Sequence, residues 1–169
     1  LLLVRNVKMI KAVFFDLDGT LLPFDESEFI KTYFALLYNY LKDYGYDQPR
    51  LYDALFGGTK LMYQNNGTKT NEEVFWDNFK SIFGEDKMKD RSLFERFYET
   101  DFHNIKKIME NEPFSPKIIK FCKENQLICV LSTNPLFPKI ATEVRMSVTG
   151  LKPTDFDFIT TMENWGYCK

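Results

Sequence analysis

Three short runs of apolar residues, each stopping at a polar cluster, set the frame of this chain. Lys11 to Phe15 reads Lys-Ala-Val-Phe-Phe and stops at Asp16-Leu17-Asp18-Gly19-Thr20. Leu127 to Leu131 stops at Ser132-Thr133-Asn134-Pro135, and Phe156 to Ile159 stops at Thr160-Thr161. Continuous apolar runs of this length predict strands buried on both faces, as in a parallel sheet. In open parallel sheets ligands gather outside the carboxyl ends of the strands, so three polar clusters at three strand ends mark one site.

Between the first two runs the apolar period changes from strand-like to helical. Asp25 with Glu28 forms a capping pattern, and Ile30, Tyr33, Phe34, Leu37, Leu41 and Tyr44 then recur at helical spacing until Gly45. A second helix is predicted over Pro49 to Gln64. Thr70 and Glu73 start a third, which carries Phe75, Phe79, Ile82 and Phe83 and stops at Gly84. Leu93, Phe94, Phe97, Tyr98, Phe102 and Ile105 predict one further continuous helix. The stretch Glu26 to Pro113 is too long for a connection and long enough for a small helical bundle with its own core. Ser115-Pro116 is a helix start leading into the second strand, which completes the rhythm of a crossover unit. The predicted class is therefore α/β, a parallel-sheet core interrupted by a helical insertion placed over the first strand's carboxyl end.

Composition changes this picture little. Of 169 residues, 44% are hydrophobic and 27% charged, a soluble globular balance. The aromatic share of 17%, with 17 Phe and 9 Tyr, predicts a core of large flat rings. A formal charge of −2 and the lack of a basic run exclude nucleic acid as a partner. Leu1-Leu2-Leu3-Val4, broken by Arg5, Asn6 and Lys8, is too short for a signal segment or a membrane span. Cys122, Cys129 and Cys168 have no metal-ligand spacing, and their odd number suits reduced thiols in a cytoplasm. A single histidine, His103, excludes imidazole triads and multi-histidine zinc sites.

The chemistry concentrates at the first strand end. Alternate side chains leave an extended strand on the same face, so Asp16 and Asp18 can both point into one site. A carboxylate beside Mg²⁺ can attack phosphorus, because the hard cation offsets the repulsion between two anions. Asp16 is accordingly the candidate nucleophile, forming an aspartyl-phosphate. Asp18 is the candidate acid and base, serving the leaving alkoxide and then the attacking water. Thr133 and Asn134 can donate to phosphoryl oxygens, and Lys169 can bring them a compact positive charge. Thr133 could instead cap a helix, and Lys152 competes with Lys169 for the cationic role. Glu163 and Asn164 lie past the third strand as further candidates for lining the site. Gly57-Gly58-Thr59 and Asn65-Asn66-Gly67 are candidate substrate-touching loops of the insertion.

These residues carry a family resemblance. Asp16-Leu17-Asp18-Gly19-Thr20 resembles the first motif of the haloacid dehalogenase superfamily, Leu131-Ser132-Thr133-Asn134 the second, and Tyr167-Cys168-Lys169 the approach to the lysine of the third. The place of the insertion resembles that family's type-one helical cap. The resemblance implies a Rossmann-like core over 9–25 and 114–169, a cap over 26–113, and Mg²⁺ held by the Asp16 carboxylate and the Asp18 backbone carbonyl. It also implies a small phosphate ester as substrate. A phosphosugar mutase would use the same residues, and a non-catalytic binding module would keep the fold alone. The family's acidic fourth motif has no counterpart before Lys169, while Met9 sits where such proteins usually start. Residues 1–169 are therefore expected to be a fragment that binds Mg²⁺ weakly and turns over slowly.

Overall fold

The computed structural model describes residues 10–169, so the expectations for Leu1 to Val4 and for a start at Met9 lie outside the described residues. Within that range the chain is a mixed α/β structure. Three parallel strands, β1 (Ala12–Phe15), β2 (Ile128–Leu131) and β3 (Phe158–Ile159), lie in the order β1-β2-β3. Val13 pairs with Cys129 and Phe15 with Leu131, and Leu131 pairs in turn with Ile159. The acidic cluster after Phe15 and the Ser132-Thr133-Asn134 cluster after Leu131 therefore emerge side by side.

Burial of the strands departs from the expectation. Val13, Phe15, Cys129 and Leu131 face the core, but Phe14 is 69% exposed and Ile128 and Phe158 are also exposed. The apolar runs that suggest strands covered on both sides are covered on one side by the described residues. Helix α5 (Ser115–Glu124) packs on β2 through Ile119 and Cys122 and covers that side.

Between β1 and α5 lie α1 (Glu26–Leu41), α2 (Gln48–Tyr63), α3 (Asn71–Phe83) and α4 (Arg91–Glu99). Their starts follow the side chains. The Asp25 carboxylate accepts from Glu28 N at 2.8 Å, and Thr70 and Glu73 form the reciprocal capping box. Each satisfies amide donors that a helix start otherwise leaves open. Gly45, with φ of 81°, ends the turn after α1 in a conformation that suits glycine.

Two helix expectations need correction. The predicted single helix through Ile105 breaks at Thr100, whose φ of −123° and ψ of −87° lie outside the helical region, and a 3-10 turn over Asp101–Ile108 follows. That break lets Phe102 and Ile105 turn inward and lie fully buried. Gly57 and Gly58 are not in a loop but inside α2, where a Cβ on Gly58 would meet the Phe75 ring of α3 at 2.7 Å. Glycine here permits the close packing of α2 on α3.

The buried hydrophobic residues form one continuous cluster that runs from the sheet through the insertion. Its centre is aromatic, as the composition suggests. Phe79 has the rings of Tyr46, Phe75, Trp76, Phe83 and Phe94 within 4.7–6.2 Å, mostly tilted or edge-on, an arrangement worth about 0.5–1.5 kcal/mol per pair beyond area burial. The insertion meets the sheet layer through α6 (Lys139–Met146), which touches both α4 and the 101–108 turn. Among the described residues no helix is long and apolar enough to cross a membrane.

Candidate active site

The turn after β1 is built around two buried leucines. Leu17 O accepts from both Thr20 N and Leu22 N, and Gly19 N donates to Leu22 O. Leu17 and Leu22 are fully buried, and Gly19, with φ of 74°, makes the reversal between them. With its hydrophobic residues pinned inward, the turn presents Asp16 and Asp18 to a cavity of about 690 Å³ between the sheet end and the insertion.

Each acid has a different cationic partner. Lys169 Nζ lies 2.8 Å from Asp16 Oδ1, both side chains being close to half exposed. Arg145 Nη1 lies 2.5 Å from Asp18 Oδ2, with the arginine 1% exposed. Arg145 reaches this position from α6, where its Nε donates to Ala141 O and its guanidinium sits 4.6 Å from the centre of the Phe137 ring. A buried guanidinium needs such partners, because an unpaired one costs several kcal/mol. The other oxygen of Asp18, Oδ1, is buried with no hydrogen-bond partner among the described residues. Buried polar atoms are rarely left without a partner, which sets this oxygen apart.

Thr133 and Asn134 also line the cavity, so the two polar strand ends do meet. Thr133 does not cap α6, whose N-cap position is held by Pro138. Asn134 Oδ1 accepts from Lys169 N at 2.8 Å, which fixes the lysine backbone beside the second strand end. Lys152 does not line the cavity; its backbone N donates to Asp155 Oδ2 at a 3-10 turn. Glu163 lines the cavity while accepting from Lys139 N at the start of α6, and Asn164 holds the turn at Thr161. Asn65 and Asn66 act as turn residues, accepting from Gly67 N and Thr68 N.

Three groups that escape a reading of motifs complete the site. Arg145 could have been suspected, since it shares a helix face with the buried Ala141 and Val144, an unusual place for a charge. Tyr33 and Tyr98 line the cavity with their hydroxyls 2.9 Å apart in a buried pair. Burial pushes the Tyr33 phenol up to about 12 and raises Tyr98 well above its ordinary range. Asn71, fully buried at the start of α3, ties the insertion to the sheet end. Its Nδ2 donates to Pro135 O and to Cys168 Sγ, its Oδ1 accepts from Asn65, and its backbone N donates to Trp165 O.

As a cation site the arrangement offers oxygen only, the Asp16 and Asp18 carboxylates, each with one oxygen turned to a cationic side chain, Lys169 or Arg145. No group of three or more His, Cys, Asp or Glu side chains suited to a metal occurs among the described residues. Two oxygen donors fit a hard cation that keeps several of its waters, as Mg²⁺ does, and fit no soft metal. No known family profile matches the chain, and no curated protein matches it either.

Proposed function

We propose that the chain is a Mg²⁺-dependent phosphomonoester hydrolase of the haloacid dehalogenase type, with a Rossmann-like core over 9–25 and 114–169 and a helical cap over 26–113. The observation that carries this reading is the convergence of Asp16, Asp18, Thr133 and Asn134 on one cavity, with the Lys169 ammonium on Asp16. In this reading Lys169 orients the Asp16 carboxylate and, with Thr133 and Asn134, receives the phosphoryl oxygens where charge is held during transfer. Asp16 and the Asp18 carbonyl would hold Mg²⁺, which would supply charge neutralisation for the attack of one anion on another.

The first step forms the bond from Asp16 Oδ to phosphorus and breaks the bond from phosphorus to the ester oxygen. The leaving alkoxide takes a proton from Asp18. In the second step Asp18 takes a proton from water, the water oxygen bonds to phosphorus, and the Asp16 carboxylate and inorganic phosphate separate. Arg145 supports this exchange by holding Asp18 Oδ2 and so fixing the orientation of the carboxyl group. Three free cysteines accompany a cytoplasmic setting for such an enzyme.

Phosphate release from p-nitrophenyl phosphate with Mg²⁺ tests the assignment. D16N is expected to lower release by a factor of 10³ or more. Release equal to that of the unaltered protein sinks the reading.

A further inference from the structure

We infer that the cavity takes phosphate esters of apolar, flat alcohols that carry no second anionic group, rather than sugar phosphates or bisphosphates. The inference rests on the reading of Asp16 and its neighbours as the phosphoryl site, and it concerns the rest of the substrate. Three observations support it.

Much of the cavity lining is apolar and aromatic, with Phe29, Phe34, Phe75, Trp76 and Phe137 among its residues. Phe56, at its mouth, is 56% exposed although it stacks on Phe34 at 4.6 Å, and Ile30, which also lines the cavity, is exposed as well. An apolar surface left open at the mouth of a deep cavity gains by being covered, and a flat ring suits stacked and edge-on neighbours.

Several polar groups of the lining are already engaged within the protein. Thr59 Oγ1 donates to Leu55 O, the Tyr33 and Tyr98 hydroxyls share a hydrogen bond, and Glu72 is paired with Arg91. A polyol entering here would give up water for few replacement partners, which is costly.

The charge of the lining disfavours a second anion. Asp16, Asp18, Glu26, Glu72, Glu95 and Glu163 face the cavity, and among the described lining residues Arg145 is the one cation, already paired with Asp18. Lys169 serves the phosphoryl end. A second phosphate or carboxylate on the substrate would meet acids and no free partner.

The test compares equilibrium binding of two phosphonates that share a head group and resist hydrolysis, 1-naphthylmethylphosphonate and 2,3-dihydroxypropylphosphonate, by calorimetry with Mg²⁺ on the unaltered protein. The naphthyl compound is expected to bind at least ten-fold more tightly, about 1.4 kcal/mol. F56S, at the exposed rim, is expected to shrink that preference several-fold and leave the diol compound unchanged. Equal affinities, a preference for the diol, or an F56S preference that stays full overturns the inference. 1-Naphthol, which has no phosphoryl group, separates the two readings. Naphthol bound with neither phosphonate bound refutes the phosphoryl site and keeps the apolar one, whereas naphthol and both phosphonates unbound refutes the apolar cavity.

Discussion

Arg145 Nη1 donates to Asp18 Oδ2 across 2.5 Å from a guanidinium that is 1% exposed, whereas the Lys169 to Asp16 pair at 2.8 Å is half open to water. The two acids of one turn therefore have different relations to stability. An exposed ion pair contributes about 0–1 kcal/mol. Removing one partner of a buried pair costs about 3–5 kcal/mol, because the remaining charge is left without compensation.

D18N is accordingly expected to destabilise the protein by about 3 kcal/mol, while D16N changes stability by less than about 1 kcal/mol. Urea unfolding of both variants checks the contrast. The double variant D18N/R145M is expected to recover part of the loss, giving a coupling of about 1–3 kcal/mol. Additive effects would mean that the Arg145 to Asp18 contact carries no energy.

Asn71 makes the second prediction. Its amide and backbone join Pro135, Trp165 and Cys168, so it holds both the 133–135 loop and the segment that delivers Lys169. N71A keeps the backbone bond to Trp165 O but removes the side-chain bonds and leaves the buried Pro135 carbonyl unpaired, at a cost of about 1–3 kcal/mol. Faster amide hydrogen exchange over 162–169, with α2 unchanged, is the expected signature. Unchanged exchange in that segment would show that it is held by other contacts.

Asn71 also marks where the sequence stops being legible. Apolar runs and capping pairs sufficed to locate three strands and the starts of α1 and α3, since these depend on neighbours within a few residues. The break at Thr100 was hidden because Phe102 and Ile105 continue the helical spacing while their burial depends on α1 and α6, distant in sequence. The exposure of Phe14 was hidden for a related reason, because a continuous apolar run says nothing about which side a helix covers. At the site, Asp16, Asp18, Thr133 and Asn134 were readable as polar strand ends, and Lys169 through the resemblance of Tyr167-Cys168-Lys169 to a family motif. Arg145 left only the weak signal of a charge on an apolar helix face and Asn71 left none, because each acts through a contact across more than sixty positions of chain.

Alkaline pH gives a third expectation. Tyr33 is raised to about 12 by burial, and Tyr98 and Tyr46 are raised by burial too, with Asp90 beside the Tyr46 hydroxyl. In the unfolded chain these phenols ionise near their ordinary value of 10.0. A folded pKa above the unfolded one means that the stabilising contribution is complete below pH 10 and is lost as pH rises towards 12. Thermal midpoints should hold steady up to about pH 9.5 and fall between pH 10 and 12. Y33F should cost about 1–2 kcal/mol at pH 8, where ionisation plays no part, because Tyr98 loses its hydroxyl partner. A midpoint that falls well before pH 10 would contradict the burial of these hydroxyls.

The nucleophile is tested most directly by trapping it. Protein quenched during turnover of a phosphate ester and reduced with borohydride should carry homoserine in place of aspartate at position 16, read by peptide mass spectrometry, since an acyl phosphate is reduced where a free carboxylate is not. Homoserine at position 16 that appears only with substrate and Mg²⁺ is the predicted result. Steady phosphate release with Asp16 unaltered, or with the reduced residue elsewhere in the chain, would contradict the account.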